Sequence, residues 1–261
     1  MARVKSLENP RNSAARIVNI MVRADDANPG SPSLEVWRHA FELGPNDDGL
    51  QVAELIGKLR KELRATENAL AAKEVPAHLY KYATNALESM LTANHLSQPW
   101  GNVGAGTAQH HVIAFRWAAY ILPDENHQVD TEDLNELKQL LAEFESALTG
   151  ATLPPVLGAY LKDQLVAMKA AIAAVVVSGP SDIRAAVRKA VADVHFSEDE
   201  LKAEVSATDT EAVKNARSKF GNLFKKSAEV AGDIDKFGKG AKILKDGVEW
   251  LMLQWDNLPT A

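Results

Sequence analysis

Apolar residues recur along most of the chain at intervals of three and four positions, with polar residues between them. This is the period of an amphipathic α-helix, and no convincing stretch alternates apolar and polar residues as a half-buried strand does. We therefore predict an all-α fold, a multi-helix bundle of about nine helices. The predicted helices span 13–23, 33–43, 52–70, 76–94, 108–122, 131–148, 155–178 and 181–194, followed by a short helix from 197 and a C-terminal helical segment.

Residues that favour helix ends stand at the borders of these segments. Asp130 is placed as an N-cap, and Gly150 follows the last apolar position of the same helix. Thr210 restarts the chain after a polar stretch, and Gly232 interrupts the proline-free part that follows. Because glycine costs about 1 kcal/mol relative to alanine inside a helix, we expect two helices in that part with a break near Gly232.

The C-terminal segment differs from the rest of the chain in charge. The whole chain has 29 Lys and Arg residues against 35 Asp and Glu residues, a net charge of -6. From residue 212 onward, nine basic and six acidic residues leave a net charge of +3, so residues 1–211 carry -9. We predict a helical body over 1–208 and a basic amphipathic helical arm over 209–261, packed on that body.

An apolar stripe accompanied by lysines makes this arm the candidate contact region. Such segments bind acidic surfaces, partner grooves or anionic membranes. Three interpretations stay open: docking on the protein's own acidic body, binding to a partner protein or a second copy, and binding to a membrane surface, which the carboxylates of the arm disfavour. The candidate contact residues are Phe220, Phe224, Phe237, Leu244, Trp250, Trp255, Lys225, Lys239 and Lys242.

The sequence contains no recognisable catalytic, cofactor-binding or metal-binding motif. There is no cysteine, which excludes disulfides and thiolate chemistry. His110 and His111 are adjacent, so on a helix they diverge by about 100° and do not ligate one ion as residues three or four apart do. The glycines at 101, 104 and 106 lack the spacing of a phosphate-binding loop, and we expect a flexible connection there. We predict no cofactor, no metal and no catalytic residue.

Charge and hydropathy also narrow the partners and the compartment. A net negative charge argues against nucleic acid as a partner, because such binding depends largely on phosphate neutralisation. The apolar run 165–179 contains Lys169 and is shorter than the roughly 20 residues of a membrane span. The N-terminal residues lack the pattern of a signal peptide. We expect a cytoplasmic protein with no identifiable small-molecule substrate.

Three features follow one another along the chain: the SLEVW sequence at 33–37, a long Leu-rich helix, and the ILPDE sequence at 121–125. Their order, with the Gly- and Lys-containing amphipathic end, resembles a group of uncharacterised all-helical bacterial proteins of similar length. No activity is attached to that group. The resemblance implies a bacterial or phage-related origin and favours an accessory role over metabolic catalysis.

The functional hypothesis is a non-catalytic helical interaction or scaffold protein that acts through protein–protein contacts or self-association. Accessory participation in a stress or phage-related system rests on the resemblance alone. Two alternatives come from other classes. One is a membrane-surface protein that uses the basic arm, and the other is an enzyme whose site is assembled from residues distant in the sequence.

Overall fold

The computed structural model describes residues 5–8, 10–44, 49–125, 128–197, 200–201, 204 and 210–232. Within these ranges the chain is all-α, which confirms the predicted fold class, and nine helices have eight residues or more. The helices are α1 (Ser13–Asp25), α2 (Ser33–Ala40), α3 (Gly49–Ala72), α4 (Lys81–Met90), the four-residue α5 (Trp100–Val103), α6 (Gln109–Ile121), α7 (Thr131–Thr149), α8 (Pro155–Ser178), α9 (Ser181–Phe196) and α10 (Glu211–Ala231). The part of the predicted arm beyond Gly232 lies outside the described residues.

Several helix borders lie where the sequence places them, because local capping determines them. Asp130 accepts a hydrogen bond from the backbone N–H of Asp133 at 2.8 Å at the start of α7. The Thr210 hydroxyl accepts one from the N–H of Val213 at 3.3 Å and so caps α10. Gly232 ends α10 with a φ of 65°, a left-handed conformation that glycine adopts without steric cost. The predicted end of this helix near Gly232 is confirmed.

The chain divides into two compact units. The first comprises Met1–Gln128 with Ala173–Gly179, and the second comprises Val129–Ile172 with Pro180–Ala261. The described portion of the predicted arm is α10, which packs against α7 and α9 inside the second unit. Among the described residues, no helix combines the length and the apolar character needed to cross a bilayer.

Helix α1 is the central element of the first unit. It packs against α2, α3 and α6, and its side chains Ile17, Ile20 and Met21 have no exposed surface. The same core holds Trp37, whose ring centroid lies 5.5 Å from that of Phe41 in a stacked arrangement. Full burial of each such side chain contributes about 1.5–3 kcal/mol relative to exposure. The near-complete burial of α1 makes it the helix around which this core is organised.

One charged side chain of α1 lies inside this core. Arg16 is 4% exposed, and its guanidinium donates to Glu125 at 2.7 and 2.9 Å and to Glu62 at 3.0 Å. Its Nε donates to the carbonyl oxygen of Val177 at 2.9 Å. Burial alone would lower the pKa of Arg16, but the hydrogen bonds and charges of the two carboxylates raise it above its usual value. The guanidinium is therefore a permanent cation with every nitrogen bonded.

The glycine-containing segment before α6 is not the flexible connection that the sequence suggested. Residues 100–107 form α5 and a 3-10 turn, and Gly106 is buried. A Cβ at Gly106 would lie 2.1 Å from the sulfur of Met90 and 2.7 Å from the carbonyl oxygen of Ala86. Glycine is required there because α4 approaches the backbone too closely for any side chain. The prediction was wrong because the reason for this glycine is a tertiary contact.

Replacement of Arg16 by methionine should destabilise the protein by about 3 kcal/mol, because it strands two paired carboxylates and a buried carbonyl group. Arg11→Met is the matched control. Arg11 pairs with Asp124 at 3.2 Å, but both side chains are more than half exposed, and such a pair contributes at most about 1 kcal/mol. Urea unfolding followed by circular dichroism measures both changes. Equal losses from the two variants would contradict a special role for the buried cation.

Gly106→Ala should lower the free energy of unfolding by about 1–3 kcal/mol, because the added methyl group overpacks the contact with α4. Gly57→Ala is the control with the opposite sign. Gly57 lies on the exposed side of α3, and no heavy atom lies within 4 Å of the position its Cβ would take. Alanine at 57 should therefore stabilise the helix by about 0.5–1 kcal/mol. Thermal melts of the two variants should shift in opposite directions.

Candidate interaction surface

The contact residues predicted from the sequence fall into three groups in the structure. Phe220 and Phe224 are buried, with 0% and 1% exposed surface, and Lys225 is exposed. The Phe220 ring lies 5.4 Å from Phe144 and 5.9 Å from Tyr160. The two phenylalanines therefore pack inside the second unit, whereas docking of the whole arm over 209–261 stays a prediction. The remaining candidates lie outside the described residues and stay predictions: Phe237, Leu244, Trp250, Trp255, Lys239 and Lys242.

The lysines of α10 explain why this helix docks where it does. Lys226 contacts Asp133 at 2.8 Å and Glu136 at 2.5 Å, both on the acidic first turns of α7. Lys219 donates to Glu143 at 2.9 Å further along the same helix. The hydrogen bonds to Asp133 and Glu136 raise the pKa of Lys226. An apolar stripe flanked by cations thus meets an apolar stripe flanked by carboxylates.

Another apolar surface, which no described residue covers in this way, lies on α6. One side of this helix carries Val112, Phe115 and Ala118, which are buried against the rest of the first unit. The opposite side is solvent-exposed and also largely apolar. Together with one residue of α4, it forms what we call the α6 face. The α6 face consists of Tyr82, His110, Ile113, Arg116, Trp117 and Tyr120.

The exposure of these side chains is large for apolar groups. Tyr120 is 90% exposed, Ile113 is 54% exposed and Trp117 is 38% exposed. With His110, their positions are spaced by three, four and three residues, which places all four within one stripe of the helix surface. Single exposed apolar residues are ordinary, but a contiguous apolar stripe with polar groups beside it is typical of an interaction site.

The histidine pair joins this stripe to α4. The ring of Tyr82 lies nearly parallel to that of His110, with centroids 6.4 Å apart, and its hydroxyl donates to the His110 carbonyl oxygen at 3.4 Å. The His111 ring faces inward, where its Nδ1 lies 3.1 Å from the carbonyl oxygen of Gly106. Burial lowers the pKa of His111, and the neighbouring His110 lowers it further. The His111 ring also contacts the rings of His110 and Tyr82, with centroids 3.9 and 5.8 Å apart.

The charge of the α6 face is positive. Arg116 is exposed, and across the described ranges no carboxylate lies within ion-pair distance of it. Beside Tyr82, Lys81 contacts Glu67 at 3.1 Å. None of the six residues of the face carries a carboxylate. The α6 face therefore combines two tyrosines, a tryptophan, a histidine, an isoleucine and an arginine on a protein whose net charge is -6.

This surface is not predicted by the sequence. The apolar character of 108–122 suggests a helix packed in the bundle, with Arg116 either reaching the surface or pairing with a carboxylate. The missed signal is that apolar residues occupy two stripes of α6, at Val112, Phe115 and Ala118 and again at Ile113 and Trp117. Two stripes require two packing partners, and the described part of the first unit supplies only one of them.

No metal site accompanies these features in the described part of the chain, where no three His, Asp or Glu side chains converge. The comparisons with known proteins add no further constraint: no family model, no curated protein and no solved structure matches this chain.

Proposed function

We propose that this protein is a non-catalytic helical interaction protein that binds its partner through the α6 face. The observation that supports this proposal is the exposure of Ile113, Trp117 and Tyr120 on one stripe of a helix whose other side is core. Exposed tryptophan and tyrosine side chains bury much apolar area on binding at little conformational cost, and they are enriched among residues that dominate binding energy.

The partner that fits this surface is an acidic amphipathic helix. Helices recognise helices through apolar residues spaced at three and four positions, which is the spacing that the α6 face presents. The exposed cation at Arg116 favours carboxylates at the rim of the partner, because complementary charge steers association and rejects wrong partners. A second copy of α6 meets this requirement less well, since it would bring Arg116 and His110 towards like groups.

The wider role of the protein rests on the resemblance of its 33–37 and 121–125 segments to all-helical bacterial proteins. The resemblance supports an accessory role in a bacterial stress or phage-related system. The cytoplasmic location expected from the hydropathy of the chain is a separate part of the proposal. The residues of the arm beyond Gly232 remain a second predicted contact region, with the candidates Phe237, Leu244, Trp250, Trp255, Lys239 and Lys242.

The first test measures binding of a synthetic helical peptide with leucines at every third and fourth position and glutamates on both flanks. A peptide with lysines in place of the glutamates is its control. We expect the acidic peptide to bind at least about tenfold more tightly than the basic one, a difference of about 1.4 kcal/mol. Isothermal titration calorimetry gives both affinities. Equal affinity for the two peptides, or binding of neither, would overturn the proposal.

Substitutions then assign the binding to the α6 face. Ile113→Glu and Tyr120→Glu should each weaken the acidic peptide by about tenfold or more. Val166→Glu is the matched control, because Val166 is 68% exposed on α8 and should leave the affinity unchanged. Arg116→Glu should reverse the preference in favour of the basic peptide. Sedimentation with phosphatidylserine vesicles that depends on Tyr120 would instead assign the face to a membrane, and it would count against the proposal.

A further inference from the structure

The last part of the arm carries a charge opposite to that of the α6 face. Residues 212–245 contain nine basic and three acidic residues, a net charge of +6. Residues 246–258, with the sequence DGVEWLMLQWDNL, contain three carboxylates and no basic residue, a net charge of -3. We call this stretch the acidic segment. It lies outside the residues that the structure describes, and its sequence shows that the arm is not basic throughout.

The apolar residues of the acidic segment recur at helical spacing. Four of them are separated by three, one and three positions, which places them in one stripe of a helix. This stripe consists of Val248, Leu251, Met252 and Trp255. Glu249 and Asp256 are seven positions apart, close to two helical turns, so both stand on the same flank of the stripe. The sequence therefore predicts an amphipathic helix about 20 Å long with one acidic edge.

The α6 face has the features that such a helix would contact. Its exposed apolar side chains, with Tyr120 at 90% and Ile113 at 54% exposure, follow the same spacing of three and four positions. Arg116 is exposed and lies at one edge of this stripe, three positions from Ile113 and four from Tyr120. An apolar stripe with a cation at its edge thus stands opposite in charge to an apolar stripe with carboxylates at its edge.

We infer that the α6 face binds the acidic segment of a second copy of this chain. The inference rests on the proposed function, because it names the partner helix of the face assigned there. The contact covers the exposed surface of Trp117 and Tyr120 with the apolar stripe of the segment. Glu249 and Asp256 then lie at the edge where Arg116 has no carboxylate among the described residues. Reciprocal exchange between two copies forms two such contacts in one closed dimer.

A second copy is favoured over the same chain because its acidic segment approaches the α6 face without a tether to that face. In the same chain, the segment is tied to Gly232 through residues 233–245, so it could bind only where this linker allows. A contact between two copies carries no such condition, and reciprocal exchange doubles the apolar area that the assembly buries. The same chemistry thus gives a dimer rather than a chain closed on itself.

Sedimentation velocity of the full chain is the first test. The chain should form a dimer that dissociates on dilution, and Ile113→Glu and Trp255→Glu should each raise its Kd by about tenfold or more. Val166→Glu, at a residue of α8 that is 68% exposed, is the control and should leave the Kd unchanged. Circular dichroism checks that all variants keep their helix content. A chain that is monomeric at about 100 μM, or a dimer that Ile113→Glu leaves intact, would overturn the inference.

A mixing experiment shows whether the two surfaces bind each other. The Ile113→Glu chain keeps its acidic segment and the Trp255→Glu chain keeps its α6 face, so an equimolar mixture should recover a dimer with one of the two contacts. Arg116→Glu should weaken the wild-type dimer, and adding Glu249→Lys and Asp256→Lys to the same chain should restore it. A mixture that stays monomeric, as docking within one chain predicts, would count against the inference.

The Trp255→Glu chain also separates this inference from the proposed function. Its α6 face is unaltered, so it should bind the synthetic glutamate-flanked peptide whether or not the wild-type chain self-associates. Peptide binding together with a monomeric wild-type chain would leave the proposed function standing and refute the exchange of acidic segments. Failure of both assays would refute both. Sedimentation of the chain with phosphatidylserine vesicles that Trp255→Glu abolishes would assign the segment to a membrane and refute the inference.

Discussion

The buried cation of Arg16 is the constraint on which the first unit depends. A guanidinium without water needs a bonded partner for each nitrogen, and Arg16 obtains them from residues 46, 109 and 161 positions away. One side chain on α1 thereby determines where α3, the segment after α6 and the last turn of α8 must lie. Gly179 belongs to the same arrangement. Its φ is 61°, and a Cβ there would lie 3.0 Å from Arg16 Nη1. A pair of this kind specifies position more than it adds stability.

The features that the sequence predicts correctly are those that a few neighbouring residues determine. The all-α class follows from periodicity, and the ends of α7 and α10 follow from side chains that bond to backbone N–H groups three residues ahead. Gly232 ends α10 because of its own backbone freedom. None of these features depends on residues that are distant in the sequence, so the local sequence is sufficient to predict them.

The features that the sequence does not predict depend on contacts between residues that are distant along the chain. The spacing of Gly106 shows no motif and suggests a flexible segment, whereas glycine is required at this position because Met90 on α4 approaches it closely. Phe220 and Trp117 are both aromatic residues on amphipathic helices beside a cation, and the sequence does not distinguish them. Phe220 is buried because α7 brings a complementary apolar and acidic stripe to α10. Trp117 is exposed because the described part of its unit offers no such surface to that side of α6.

This contrast is the physical argument for function at the α6 face. In α10, apolar area and charge are both matched within the protein, down to the two carboxylates that hold Lys226. In the α6 face, apolar area and the charge of Arg116 lack that match among the described residues. Because α10 shows that this chain can match apolar area and charge internally, the unmatched groups elsewhere point to a binding partner. The unmatched groups of the α6 face are a cation and apolar rings side by side, and that combination defines the partner that the face would bind.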